Sequence, residues 1–213
     1  MASLRQAAVM DTHLQLENRH TGEWLHLRRI RDRGQIVLEI EGGLPAHGAG
    51  PPLHIHLIQH EEGAVLSGVL SGRVGGRTVS LRAGEPCAFP AGVPHRWWND
   101  GDQPLRFRGR AVPAADLDRF LQAVFAIANA GTAGRPSVFH MVHLLHRHRH
   151  TQRLAVIPVW LQQIVLPAVV VIGRVLGKYP PGGWPGAPGS CLGAPEGEVE
   201  RTVATSSALV ELP

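Results

Sequence analysis

Gly48-Ala-Gly-Pro-Pro-Leu-His54-Ile-His56-Leu-Ile-Gln-His-Glu61-Glu62-Gly-Ala-Val-Leu-Ser-Gly68 is the stretch on which the reading of this chain turns. His54 and His56 stand two residues apart, so on a β-strand both side chains leave the same face. Two imidazoles on one inward-facing surface can take neighbouring positions around a single ion. Glu61 lies five residues beyond His56 and has the wrong parity for an unbroken strand. A turn or bulge is therefore expected in the polar run Gln59-His60-Glu61-Glu62. A second stretch, Gly84-Glu-Pro-Cys-Ala-Phe-Pro90-Ala-Gly92-Val-Pro-His95-Arg-Trp-Trp-Asn99, brings His95 after a Pro-x-Gly turn that sets the strand entry and aims the ring. Three nitrogens and one carboxylate suit Fe, Mn, Co, Ni, Cu or Zn and suit Ca or Mg poorly. Spacing alone leaves a second reading open, in which the alternating histidines are solvated and His95 is a hydrogen-bonded packing residue.

Outward from these blocks, residues 21–113 consist of short apolar runs separated by Gly, Pro and Asp. Strands are expected at 23–30, 35–41, 54–57, 64–71, 73–81, 86–89, 95–99 and 105–112, a pattern of many short strands typical of a sandwich or jelly-roll barrel. Residues 1–20 are polar and unpatterned and read as an arm. After Pro113 the apolar period becomes helical, and 114–179 reads as a helical appendage with segments at 116–129, 137–150 and 152–177. Residues 180–213 open with Pro-Pro-Gly-Gly-Trp-Pro-Gly and read as a flexible tail.

At 213 residues, 44% hydrophobic and 18% charged, the chain can bury a core without staples, and wholesale disorder is excluded. A net charge of +4 and the arginine run Arg28, Arg29, Arg31, Arg33 give little reason to invoke nucleic acid, because no recognition helix or aromatic interleaving accompanies them. Cys87 and Cys191 make no disulfide framework, and Cys87 reads as a small core residue. The N-terminal residues lack the basic head and apolar run of a signal peptide, so a cytoplasmic address is expected. Residues 154–173 reach membrane-span length, but Gln162, Gln163, Pro158 and Pro167 argue instead for packing on the barrel or on a second subunit. His140, His143, His146 and His150, interleaved with Arg147 and Arg149, read as a basic helix face rather than a second metal site.

The two blocks resemble the paired motifs of the cupin superfamily, G-x5-H-x-H-x3–4-E-x6-G and G-x5-P-x-G-x2-H-x3-N. Gly48, His54, His56, Glu61 and Gly68 match the first, and Gly84, Pro90, Gly92, His95 and Asn99 match the second, with fifteen residues between the blocks. Phe120-Leu-Gln-Ala-Val-Phe125 and Val171-Ile-Gly-Arg-Val-Leu-Gly-Lys-Tyr179 are similar to a helical extension on certain bacterial single-domain cupins. The resemblance implies a mainly β protein: a double-stranded β-helix, or jelly-roll barrel, with a C-terminal α-helical appendage. It further implies one divalent transition metal inside the barrel, held by His54, His56, Glu61 and His95.

Trp97 shares a strand face with His95 and Asn99, and with Phe89 it is a candidate for contact with a small-molecule substrate; both also suit core packing. The small residues Gly63, Ala64 and Val65 point to a roomy apolar cavity for a hydrophobic or aromatic molecule. His60 beside Glu61 is a possible acid or base, or simply a solvated loop residue. Three functions fit. The first is a metal-dependent, dioxygenase-like oxidoreductase in which Glu61 acts as base. The second is a non-redox isomerase, cyclase or lyase using the ion as Lewis acid. The third is a non-catalytic binding or sensing module. The first is the preferred expectation, and residues 116–179 offer apolar surface for the homodimer common in this fold.

Overall fold

The computed structural model describes residues 13–132 and 135–179. Cys191 and the segment 180–213 read above as a tail lie outside the described residues, as do the first twelve residues of the arm. The chain begins with β1 (His13–Glu17), β2 (Trp24–Asp32), β3 (Gln35–Leu44), β4 (His54–His56) and β5 (His60–Ser67). It continues with β6 (Val69–Val74), β7 (Arg77–Arg82), β8 (Pro86–Phe89), β9 (His95–Trp98) and β10 (Leu105–Val112). Then come α1 (Leu117–Ala130), α2 (Val138–Arg147), β11 (Gln152–Leu154) and α3 (Val159–Val175). Two antiparallel sheets result, one in the order β1-β2-β3-β10-β5-β8 and the other β11-β4-β9-β6-β7.

Alternation drives the larger sheet. Leu25 and Leu27 of β2 and Leu38 of β3 are buried, while His26 and Arg28, alternating with the β2 leucines, face solvent. Arg33 and Gly34, with φ of 47° and 84°, close the β2–β3 hairpin in two residues; positive φ at both central positions matches the right-handed twist of the paired strands. Inside the barrel Leu44, Val65, Leu70 and Leu105 form one core with Trp97, Leu81 and Phe107 packed against it. A second core joins β2, β3 and β10 to α1 through Leu25, Leu27, Leu38, Ala111, Leu117 and Phe125. Each such leucine or phenylalanine contributes about 1.5–3 kcal/mol on burial. Ala123 and Ile127 of α1 meet Leu144 of α2 in a third core that docks the helices on each other.

Several boundaries differ from the sequence expectation, each for a physical reason. The arm contains β1, which pairs antiparallel with β2 and lays Leu14 and Leu16 on the core; its polar composition concealed a clean alternation. The strand expected at 64–71 is two strands, because Gly68 adopts φ 77° and a Cβ there would lie 2.7 Å from the Pro104 carbonyl oxygen. The chain changes sheet at that glycine, between two apolar runs that read as one. The strand expected at 73–81 is broken by Gly75-Gly76, which turn β6 into β7. The third helical segment, expected from 152, begins with β11 and becomes helical only at Val159, after Pro158. Among the described residues no helix is long and apolar enough to cross a membrane. Gln162, which looked out of place in an apolar run, is buried with its amide donating to the Leu154 and Ile157 carbonyls at 2.8 and 2.6 Å.

Candidate metal centre

β4 is three residues long, and its two histidines emerge on one face with their Nε2 atoms 3.0 Å apart. β9 runs antiparallel beside it with His95 directly opposite His54. The three rings gather with centroids 4.4 to 5.1 Å apart. Their ligand nitrogens all lie within 4.8 Å of one another. The Pro-x-Gly turn does what its sequence suggested: Gly92, at φ 77°, donates its N–H to the His56 carbonyl at 2.8 Å and ties the second motif to β4. Asn99 closes the following loop, donating to the carbonyls of Pro45 and Gln103 and accepting from the Gly101 N–H.

Glu61 reaches the cluster from the other sheet. Leu57-Ile58-Gln59 carry the chain across from β4 to β5, so the expected irregularity is a change of sheet rather than a bulge within one strand. The Glu61 oxygens stand 3.5 Å from His56 Nε2 and 3.9 Å from His95 Nε2, and the side chain is 18% exposed.

The protonation pattern favours a cation. His54 Nδ1 donates to the Pro52 carbonyl at 2.8 Å and His95 Nδ1 to the Val93 carbonyl at 2.9 Å. A carbonyl only accepts, so both rings turn an Nε2 lone pair toward the cluster. His95 is fully buried, and its Nε2 has no hydrogen-bond partner. A buried polar atom left in this state is costly unless something fills the space. Two nitrogens 3.0 Å apart match neighbouring ligands held about 2.1 Å from one ion at near right angles. Burial, followed by the neighbouring imidazoles, lowers the pKa of His54 and of His56 to about 3, which keeps both neutral as ligation requires. Burial pushes the Glu61 carboxyl up, a rise that the neighbouring His95 and His60 partly oppose. The residues present fit a divalent transition metal.

The model of the family described as "Cupin domain" matches residues 43–109, which contain all four of these side chains. Residues 43–109 thus form a cupin-type domain. The chain's mainly β architecture of two antiparallel sheets with C-terminal helices is the cupin fold expected from the two motifs. The chain is 33% identical over 107 residues to "Oxidoreductase iacF" of Pestalotiopsis fici, a match covering 46% of this chain and 52% of that protein. The chain thus spans about half the length of this curated relative. Among solved structures, an RmlC-like cupin from Shewanella frigidimarina is 14% identical with a TM-score of 0.41, covering 55% of this chain and 96% of that one. A predicted oxalate decarboxylase from Thermotoga maritima is 20% identical with a TM-score of 0.36, covering 49% of this chain and 94% of that one.

The other singled-out residues fall in varied places. Phe89 is buried opposite Glu61 and stacks on His95 with ring centroids 4.8 Å apart. Trp97 packs against the barrel core, edge-on to Phe107. Arg96 lies over the Trp98 ring on the opposite face of the strand. Gly63 and Ala64 border a concavity of about 940 Å³ among Arg28, Glu39 and Arg108. A Cβ on Gly63 would lie 2.3 Å from the Arg108 carbonyl oxygen, so the glycine answers a close approach of strands. Val65 is core. His60 is exposed, and Glu62 is paired with Arg110 at 2.6 Å. Cys87 is half-buried, and burial raises its thiol pKa. Sequence reasoning passed over Gln59 and Gln152, both buried with amide atoms that have no hydrogen-bond partner. Buried glutamine carries no spacing signal, and Gln152 enters from β11, far along the chain.

Proposed function

We propose that His54, His56, His95 and Glu61 hold one divalent transition metal and that the protein is a metal-dependent, dioxygenase-like oxidoreductase acting on a small hydrophobic or aromatic molecule. The convergence of three imidazoles around the unpartnered, buried His95 Nε2 carries this reading. The oxidoreductase name of the Pestalotiopsis relative supports the redox class. A bound ion supplies Lewis acidity and, where it is Fe, Mn or Cu, redox chemistry toward dioxygen.

The chain's own residues supply the rest. The Pro52 and Val93 carbonyls fix the tautomers of His54 and His95 before any ligand arrives, so little reorganisation accompanies binding. Phe89 covers one face of His95 and keeps water from that side of the cluster. Glu61 is the residue that moves a proton: its burial makes the carboxylate a better base than an exposed one, and it stands at the edge of the cluster.

Elemental analysis of untagged protein beside a His54→Ala/His56→Ala variant tests the site. About one transition metal per chain, lost in the variant while the fold survives, is the expected result. Oxygen uptake with phenolic or diketone substrates then tests the reaction. Bound Zn with no oxygen consumption would move the protein to the isomerase, cyclase or lyase class. Protein that is metal-free and refuses added metal would leave a binding module.

A further inference from the structure

Two of the three clustered histidines have their outer nitrogen secured on a backbone carbonyl, His54 on Pro52 and His95 on Val93. His56 does not. The residue is only 4% exposed, and its Nδ1 is buried with no hydrogen-bond partner. With Nε2 committed to an ion, its Nδ1 must carry the proton, and a buried N–H without an acceptor costs about 1–3 kcal/mol.

The residue directly across the sheet from His56 is Gln152. β11 pairs antiparallel with β4, with Gln152 opposite His56 and Leu154 opposite His54. Directly opposed residues place their side chains on one face with Cβ atoms about 4.5–5.5 Å apart. Gln152 therefore faces the barrel interior beside the one ring that lacks an acceptor. It is 3% exposed, and both its amide nitrogen and its amide oxygen are buried without a partner. Its backbone is pinned, since its N–H donates to the His148 carbonyl at 2.8 Å and the Thr151 carbonyl accepts from the Leu57 N–H at 2.8 Å. Gln59 also carries an unpartnered buried amide, but it lies beyond the β4–β11 pairing and opposes neither histidine of β4.

We propose that Gln152 is a positioning residue for the metal centre: its carboxamide oxygen accepts the Nδ1–H of His56, directly or through one water, and holds the Nε2 lone pair of His56 on the cluster. The helical extension thereby completes a site whose ligands all lie in the cupin domain. This inference rests on the reading of the histidines as ligands.

The test combines Co(II) and Zn(II) affinities, measured by competition with a chromophoric chelator, with ¹⁵N spectra of the histidine rings in Zn(II)-loaded protein. Gln152→Leu is expected to weaken metal binding about 10–100-fold, the usual effect of removing a partner of a ligand histidine. Gln152→Glu keeps an acceptor and is expected to stay within about threefold of wild type, as is Gln59→Leu. The His56 Nδ1–H of the Zn(II)-loaded wild-type protein is expected to be protected from exchange with solvent, and that protection is expected to be lost in Gln152→Leu. The proposal is overturned if Gln152→Leu binds within about threefold of wild type, or if Gln152→Glu or Gln59→Leu weakens binding as much as Gln152→Leu. Should Gln152→Leu fail to fold, the wild-type spectrum decides alone: a His56 Nδ1–H that exchanges freely with solvent sinks the idea. Unchanged metal affinity in His56→Ala would overturn the metal reading itself, whereas a loss in His56→Ala with none in Gln152→Leu would overturn this proposal alone.

Discussion

His54, His56 and His95 come from two strands facing each other within one sheet; His140, His143 and His146 come from a single helix, α2. In the barrel the rings converge, two of them with outer nitrogens fixed by carbonyls, and a carboxylate approaches from the opposite sheet. On α2 the rings are laid along one surface, and the contacts are those of packing. His140 Nε2 bonds the Lys178 carbonyl at 3.0 Å, and the Tyr179 ring stands 5.0 Å from that of His143. Electrostatics separate the two groups further. After burial, the influences that lower the pKa of His143 and His146 are cationic neighbours, Arg174 on both, with Arg147 acting on the first and Arg149 on the second. A cation is repelled there and attracted by Glu61 in the barrel. Among the described residues only the barrel histidines gather as a group that could share an ion. Histidine count and helical spacing thus say little about metal; convergence from separate chain segments with a carboxylate nearby says much more.

The largest effect should come from the barrel. Removing a ligand in His56→Ala should weaken metal binding by more than about 100-fold, beyond what loss of an outer partner does, whereas His146→Ala should leave it within about threefold. Chelator competition with both variants side by side measures this, and equal losses would erase the distinction drawn above.

Acid should act next. His54 and His56 have folded pKa values of about 3 against an ordinary 6.5, so between these limits the unfolded chain takes up protons that the folded one refuses. Stability of the metal-stripped protein therefore falls as pH drops below 6.5, by up to about 1.4 kcal/mol per unit for each histidine. Glu61 acts with the opposite sign: its folded pKa is raised, so its contribution is present below the ordinary 4.5 and lost as pH rises through the folded value. Urea unfolding between pH 7 and 4.5 should show a net acid loss, and Glu61→Gln should steepen it. A flat profile in both proteins would mean that the cluster is not held neutral by burial.

A histidine of the extension can matter structurally without touching metal. His148, 7% exposed at the end of α2, bonds Asp116 at 2.6 Å in front of α1, and its ring packs on Phe120. His148→Ala should cost about 1–3 kcal/mol in urea unfolding by leaving the Asp116 carboxylate without that donor. The smallest effect belongs to the α2 face: His146→Ala should change stability by less than about 0.5 kcal/mol.

Most of what makes the barrel was legible because it is local. Strand parity puts His54 and His56 on one face wherever the strand goes. Glycines at Gly68 and Gly92 mark turns because other residues avoid positive φ. The Pro-x-Gly entry aims His95 in the same local way. The strand alternation of residues 105–112 was also clear, since one side of that strand meets core and the other solvent. The elements misread lack such a signal. A three-residue strand such as β11 has no period to detect, and the apolar runs flanking Gly68 hide a change of sheet.

Residue chemistry and short-range spacing were enough to expect a sandwich or jelly-roll barrel and to pick out the three imidazoles and the carboxylate as candidates; the motif resemblance supplied the cupin fold and the ligand set. Folding alone decided that Glu61 approaches from the opposite sheet, that Gly63 is small because strands crowd it, and that Gln152 faces His56 across β4 and β11. The division follows from range: side-chain direction along a strand is set by neighbouring residues, whereas which strands lie side by side is set by the burial of cores assembled from distant parts of the chain.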